Sequence, residues 1–151
     1  MTPESPITCS MVVGSTLTAS EGVCHLIMAM LEESGFSGED VFAVHLALEE
    51  AFVNAMRHGN EMDPDKVVRI DYAVDSEKFE IWIEDEGSGF DPQSVPDPRC
   101  AENLYKPHGR GLLLMRSYMA TVEHGKQGNK VHMVRHRDRP PVPRELPKIC
   151  R

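Results

Sequence analysis

The sequence of 151 residues lacks the features that mark several common protein classes. Its four cysteines include no CxxC pair and its seven histidines show no metal-ligand spacing, so neither a zinc site nor a disulfide framework is indicated. No apolar run approaches the length of a membrane-spanning helix. The first residues lack the basic start and apolar core of a signal peptide. Together these absences predict a cytoplasmic protein without a membrane partner.

The charge balance limits the expected partners further. The chain has 24 acidic and 16 basic residues, a net charge of −8. An acidic surface repels the nucleic acid backbone, so direct nucleic acid binding is not expected. A phosphate-bearing ligand would instead need backbone N–H groups, a helix N-terminus or a metal ion to hold it.

The spacing of apolar residues predicts two helices, over residues 19–33 and from an N-cap at Ser37 to about His58, where Gly59 ends the pattern. Five strands are predicted. Residues 8–16 mix β-branched and small residues and suit an edge strand, and two alternating runs, 68–74 and 79–83, suit a hairpin. Two last strands are expected near 121–124 and 130–134. The predicted fold is an α+β two-layer sandwich, with helices on one face of a mainly antiparallel mixed sheet.

The length suits a single domain, which we place at residues 1–136. Residues 91–108 carry four prolines and are predicted to form a loop, followed by a short helix over 112–119. From residue 137 the chain becomes basic and rich in proline. Residues 137–151 are therefore predicted to form a flexible tail.

The first candidate site ends the second predicted helix and reads Glu50-Ala-Phe-Val-Asn54-Ala-Met-Arg-His58-Gly59. At about 100° per residue, Glu50, Asn54 and His58 form a stripe on one helix face. An amide oxygen is a suitable Mg²⁺ ligand, and a carboxylate one turn earlier can accept a proton. The same stripe is also compatible with a solvated helix face.

The second candidate directly follows the predicted hairpin and reads Asp85-Glu-Gly87-Ser-Gly89-Phe90-Asp91. Its two glycines allow a sharp turn and a close approach of the backbone to a flat ligand. A carboxylate before them can accept a hydrogen bond from an exocyclic amine such as that of adenine. Asp-x-Gly-x-Gly is also an ordinary turn sequence.

The third candidate opens the short predicted helix and reads Gly109-Arg110-Gly111-Leu112. Glycines at a helix start expose unpaired N–H groups at the positive end of the helix dipole, which favours phosphate. Arg110 could add a formal positive charge. A plain loop ending in a helix is the alternative.

In this order, on a helix, a loop after a strand and a loop-to-helix junction, the motifs resemble the N box and the two glycine boxes of the GHKL (Bergerat-fold, histidine-kinase-like) ATPases. Their compact forms are Glu-x-x-x-Asn-Ala-x-x-His-Gly, Asp-x-Gly-x-Gly-Phe-Asp and Gly-x-Gly-Leu-x-Leu-Met-Arg. These are most similar to the anti-sigma factor serine/threonine kinases of bacteria. The resemblance covers residues 17–136, nearly the whole predicted domain.

The resemblance implies a role for each motif. Glu50 would be the catalytic base and Asn54 the Mg²⁺ ligand. Asp85 would hold the adenine of ATP in a pocket shaped by Gly87 and Gly89.

The resemblance places further residues in the same nucleotide site. His58 and Phe90 would belong to it, and residues 91–108 would form the ATP lid. The residues implied to surround the phosphates are Gly109, Arg110, Gly111 and Leu112.

The function implied by this resemblance is regulation of transcription by Mg²⁺-dependent transfer of phosphate from ATP to a serine of a STAS-type anti-anti-sigma protein. Such kinases also sequester a sigma factor, usually as homodimers. The alternatives are a nucleotide-dependent regulatory binding module and a simple ATPase. Relatives often carry Gly-Thr-Thr before the last strand, whereas this chain has Gly128-Asn129-Lys130, in which Asn129 could supply the hydrogen-bonding group.

Overall fold

The computed structural model describes residues 5–87, 115, 118–125 and 128–137. Its helices are α1 (Leu17–Glu33) and α2 (Gly38–Val53), and α2 continues directly into a π-helical segment (Asn54–Gly59). Its strands are β1 (Ile7–Gly14), β2 (Val67–Val74), β3 (Lys78–Glu84), β4 (Thr121–His124) and β5 (Lys130–His136). The predicted lid and nearly all of the predicted tail lie outside the described residues.

The strands form one open sheet in the order β1-β2-β3-β5-β4. Each neighbouring pair is antiparallel. The predicted α+β sandwich and the position of the first strand at a sheet edge are therefore confirmed. The mainly antiparallel character expected of the sheet holds throughout the described strands, among which no pairing is parallel.

The core lies between the two helices and one face of the sheet. Alternate residues of β2 and β3 point inward because successive side chains of a strand face opposite sides. The largest fully buried side chains in the described part are Phe52, Phe79, Ile27, Leu31, Leu48, Met56, Ile70, Ile81, Ile83, Met115, Met119 and Met133. Neither helix here combines the length and the apolar character that crossing a membrane requires.

Side-chain caps fix where both helices begin. The Thr16 hydroxyl accepts a hydrogen bond from the Ala19 N–H at 3.1 Å, and the Ser37 hydroxyl accepts one from the Asp40 N–H at 3.1 Å. Each bond pairs one of the otherwise unsatisfied N–H groups of a first helical turn. The predicted N-cap at Ser37 is confirmed.

The end of the second helix differs from the expected regular α-helix. The chain widens into a π-helix at Asn54, and the Asn60 N–H donates to the Ala55 carbonyl at 2.8 Å, five residues back. Such π turns are rare and are frequent at functional sites. The wide turn ends at Gly59, where the backbone lies against a carboxylate from the sheet side of the molecule.

A buried ion pair joins the start of α2 to β5. The Arg135 guanidinium donates to Asp40 Oδ1 from Nε at 3.0 Å and from Nη2 at 2.8 Å, and both side chains are buried. Its Nη1 donates to the Tyr118 carbonyl at 2.7 Å. Arg135 therefore ties the sheet, the first turn of α2 and the backbone before β4 together.

Candidate functional site

Asp85 lies where β3 ends and is only 8% exposed. Its Oδ1 accepts a hydrogen bond from the Gly87 N–H at 2.8 Å. Burial raises the pKa of the Asp85 carboxyl above its ordinary value, the Gly87 hydrogen bond opposes this, and the charges of Glu84 and Lys66 act in opposite directions. Burial makes the ionised form of this carboxylate unfavourable, and a carboxylate found in such a position is a candidate for binding a ligand.

Two glycines leave room for the Asp85 side chain. A Cβ at Gly59 would overlap the Asp85 carboxyl group, and a Cβ at Gly87 would overlap the Gly59 carbonyl. The helix end and the loop after β3 are therefore in direct contact. The structure thus brings the first two sequence motifs together, although they are separated along the chain by the hairpin.

A fully buried asparagine holds this contact in place. The Asn60 amide nitrogen donates to the Ser15 hydroxyl and to the Val67 carbonyl, both at 2.9 Å, and its oxygen accepts from the Glu86 N–H at 2.7 Å. Asn60 thus joins the helix end, the residue after β1, the start of β2 and the loop after β3. The sequence analysis missed it. Its only local signal is an amide side chain directly after the glycine that ends the helix.

Asn129 is bonded to the backbone of Asp85 in both directions. The Asp85 N–H donates to the Asn129 carbonyl at 2.8 Å, and the Asn129 side-chain amide donates to the Asp85 carbonyl at 3.1 Å. The segment that departs from the Gly-Thr-Thr pattern therefore positions the buried carboxylate. Asn129 does supply a hydrogen-bonding group, and that group reaches the Asp85 backbone.

The other residues of the first motif lie along the end of α2. Glu50, in the last turn, and Asn54, which opens the π-helical segment, are half-buried, whereas His58 is exposed. Successive side chains of a π-helix are spaced at a different angle from those of an α-helix. The predicted stripe on one helix face is therefore continuous only from Glu50 to Asn54. That His58 touches a nucleotide stays a prediction.

Glu50 also lines a groove of about 630 Å³ between α1 and α2. The groove has an apolar wall that includes Met28 and Phe52, and it also contains Cys24. Burial, assisted by the Glu49 carboxylate, raises the pKa of the Cys24 thiol to about 11. The thiol is therefore protonated at neutral pH and is not available there to accept a proton.

The remaining predicted site residues lie outside the described residues and are Gly89, Phe90, Gly109, Arg110, Gly111 and Leu112. The described half of the site offers a buried carboxylate in a glycine-lined recess, with an amide and a second carboxylate on the adjoining helix. That set can accept a hydrogen bond from a ligand, coordinate a hard cation and accept a proton.

Known proteins resemble this chain in sequence and in fold. A sequence model of the histidine kinase-like ATPase domain matches residues 13–135. The chain is 33% identical over 98 residues to the anti-sigma F factor of Clostridium perfringens, covering 61% of this chain and 67% of that protein. It is 24% identical over 103 residues to the serine-protein kinase RsbW of Listeria monocytogenes, covering 64% and 66%. The chain thus spans about two thirds of the length of these relatives.

The fold has a solved counterpart. A crystal structure of the RsbU and RsbW domains of a Mycobacterium tuberculosis protein matches with a TM-score of 0.58 and 19% sequence identity. The match covers 92% of this chain and 34% of that one. At this identity the likeness concerns the fold alone.

Proposed function

Because this chain belongs to the histidine kinase-like ATPase domain family, we propose that it binds ATP and acts as a serine protein kinase of the anti-sigma type. It would transfer phosphate from ATP, with Mg²⁺, to a serine of a STAS-type anti-anti-sigma protein in the cytoplasm. It would also sequester a sigma factor and act as a homodimer. The observation that carries the proposal is the contact of the buried Asp85 carboxylate with Gly59 and Gly87.

The recess at Asp85 suits an adenine ring. Oδ1 of Asp85 accepts a hydrogen bond from the Gly87 N–H, whereas no described residue donates one to Oδ2. Oδ2 can therefore accept from the exocyclic amine of a purine. Glycine at positions 59 and 87 removes the side chains that would fill the space around the carboxyl group.

The end of α2 suits the phosphate side of the same ligand. Asn54 offers an amide oxygen, a hard ligand for Mg²⁺, one turn after Glu50. Bound Mg²⁺ would neutralise charge on the phosphate oxygens, which offsets the repulsion expected from a protein of net charge −8. Glu50 would accept the proton of the attacking serine hydroxyl.

Isothermal titration with ATP, with and without Mg²⁺, tests the nucleotide site. We expect saturable binding that Mg²⁺ strengthens, and we expect Asn54→Ala to keep the binding but lose most of the strengthening. If no adenine nucleotide binds at all, the proposed function is wrong. The fold would then be a degenerate domain that serves protein–protein contact.

Gly59→Ala should weaken ATP binding at least about tenfold, because the new methyl group must displace the Asp85 carboxyl group that it would overlap. Titration with ATP measures the loss, and circular dichroism checks that the fold remains. Gly38→Ala is the matched control, since a Cβ there meets nothing within 4 Å. Native affinity in Gly59→Ala would contradict the assignment of this recess.

A further inference from the structure

The groove between α1 and α2 combines an apolar wall with acidic residues. Leu17 and Met28 contribute to the wall, and Leu17, at the start of α1, is 64% exposed. With histidine counted as neutral, the charged residues that line the described part of the groove are Glu21, Glu49, Glu50 and Arg57. Three of these four are acidic. A segment that is basic and carries apolar side chains would therefore complement the groove.

Two of the three carboxylates have no counter-ion among the described residues. Glu49 pairs with His45 at 3.1 Å. Neither Glu21 nor Glu50 forms an ion pair within the part of the chain that the structure describes. Both are therefore available to attract a basic side chain that enters the groove.

After β5 the chain itself contains a segment of this kind. Residues 138–151, which we call the basic segment, carry four basic and two acidic residues, a net charge of +2 in a protein whose total charge is −8. The basic segment also includes Val142, Leu146 and Ile149. Its four prolines favour an extended conformation, which loses less entropy on binding than a flexible chain does.

The start of the basic segment is fixed next to the groove. Arg137, the last described residue, donates from its backbone N–H to the Glu77 carbonyl at 2.7 Å and from Nη1 to the Ser34 carbonyl at 3.3 Å. Its guanidinium carbon lies 5.7 Å from the centre of the Phe36 ring, a cation–π contact. The basic segment therefore begins within the length of one arginine side chain of the turn that joins α1 to α2.

The basic segment is long enough to follow the groove to its far end. At about 1.5 Å per helical residue, Leu17 lies about 26 Å along α1 from Ser34. Extended at about 3.1 Å per residue, residues 138–151 span about 43 Å. The difference leaves room for the Arg137 side chain and for a path that is not straight. Cys150 would then lie at the Leu17 end of the groove.

We propose that the basic segment binds in the groove between α1 and α2 of its own chain. Its basic side chains would lie beside Glu21 and Glu50, and its apolar side chains would cover Leu17 and Met28. The bound segment would also cover Glu50, so that it limits the approach of an acceptor hydroxyl. This last consequence rests on the proposed function, whereas the binding of the segment does not require ATP.

Two properties favour the basic segment over another molecule as the occupant of the groove. Its attachment at Arg137 gives it a local concentration on the order of millimolar, so contacts that are weak between separate molecules suffice. Its charge is opposite to that of the groove and of the remaining chain. A second copy of this acidic chain would instead present mostly like charge.

Disulfide trapping in the full chain tests the position of the basic segment. In a Cys9→Ser and Cys100→Ser background, Cys150 is combined either with Leu17→Cys in the groove or with Val12→Cys on the outer face of β1. The two exposures are similar, 64% and 57%. By strand geometry, Val12 lies about 27 Å from the start of the segment. A freely moving segment would thus reach both positions.

We expect the intramolecular disulfide with Leu17→Cys to form at least about tenfold faster than that with Val12→Cys when oxidised glutathione is the oxidant. Native Cys24 stays in both variants, because its buried, protonated thiol reacts slowly. Equal rates for the two pairs would overturn the proposal. A disulfide that joins two chains would overturn it as well, since it would place the segment in the groove of a second copy.

Trypsin cleavage of the basic segment provides a second measurement. Trypsin cuts after Arg144 and Lys148, and cleavage requires that the segment leave the groove. We expect the native chain to be cut there at least about tenfold more slowly than a synthetic peptide of residues 138–151. Cleavage at the rate of the free peptide would show a flexible tail, as the composition alone predicts, and the proposal would be wrong.

Two glutamine variants test the contribution of the groove charge. Glu21→Gln removes a carboxylate from the groove, whereas Glu123→Gln removes an exposed one from β4. Glu21→Gln should raise the cleavage rate about two- to fivefold, the usual range for one surface charge pair, and Glu123→Gln should leave the rate unchanged. Equal cleavage rates in the two variants would overturn the placement of the segment beside Glu21.

Titration with ATP separates this inference from the proposed function. A chain whose basic segment is protected but that binds no ATP would contradict the proposed function and leave the inference standing. A chain that binds ATP but fails both tests of the segment would overturn this inference alone.

Discussion

Asp85→Asn is expected to weaken ATP binding strongly while leaving the fold at least as stable at neutral pH. The amide oxygen of Asn can still accept from the Gly87 N–H, now at 2.8 Å from Oδ1. Its NH₂ group, however, would face the exocyclic amine of adenine, and two donors would be left unpaired. At about 1–3 kcal/mol for each, or about 2–6 kcal/mol for the two together, the affinity should fall by about 30-fold to about 10⁴-fold.

The stability part of this expectation follows from the raised pKa of the Asp85 carboxyl. Because the folded state holds this proton more tightly than the unfolded state, whose pKa is near 3.8, stability falls as pH rises from there through the folded pKa. At pH values above the folded-state pKa, the ionised carboxylate lowers the free energy of unfolding by a constant amount. Asn carries no charge, so this pH-dependent loss should disappear.

Titration with ATP and urea unfolding from mildly acidic to neutral pH measure the two effects. Glu84→Gln is the matched control, since it removes a neighbouring carboxylate from the opposite, half-buried side of β3. The control should bind ATP with nearly native affinity. Asp85→Asn that bound ATP as tightly as the native chain would show that this carboxylate does not hold the base.

The fold could be predicted where the sequence pattern is local. Phe79, Ile81 and Ile83 recur at every second position, and all three are buried on the inner face of β3. The N-cap at Ser37 follows from a hydroxyl placed three residues before the N–H that it binds. Both signals come from neighbouring residues, so periodicity and capping rules detect them.

The features that were missed depend on residues far apart in the chain. Asp40 and Arg135 are separated by 95 positions, and Asn60 and Ser15 by 45. Each is an ordinary polar residue in its own segment, and only the packing of helix on sheet shows that it is buried and paired. The close approach of Gly59 to Asp85 is of the same kind, because it becomes visible only in three dimensions.

The candidate site was predictable in part because its motifs keep a fixed order along the chain. That order predicts that the first two motifs act together, and the structure places Gly59 of the first motif in contact with Asp85 and Gly87 of the second. It does not predict what holds them there. One of the contacts that hold them comes from Asn129, whose side-chain amide donates to the Asp85 carbonyl across 44 positions of sequence.

Glu50→Gln is expected to keep the ATP affinity and lose phosphoryl transfer by about 10²–10⁴-fold, the usual contribution of a general base. The side chain keeps its size in the half-buried position at the end of α2, but an amide cannot accept the serine proton. Transfer of labelled phosphate to purified STAS-domain proteins of the same genome measures the effect, and titration with ATP measures the affinity.

Glu49→Gln is the control for this variant. Glu49 is the adjacent residue, lines the same groove and pairs through Oε1 with His45 Nε2 at 3.1 Å on the exposed side of the helix. It should transfer phosphate at nearly the native rate. Undiminished transfer in Glu50→Gln would mean that Glu50 is not the base.

The same transfer assay on the native chain distinguishes the alternative functions. A native chain that hydrolyses ATP without modifying a protein would be a simple ATPase. A native chain that binds partners only with ATP, without transferring phosphate, would be a regulatory module.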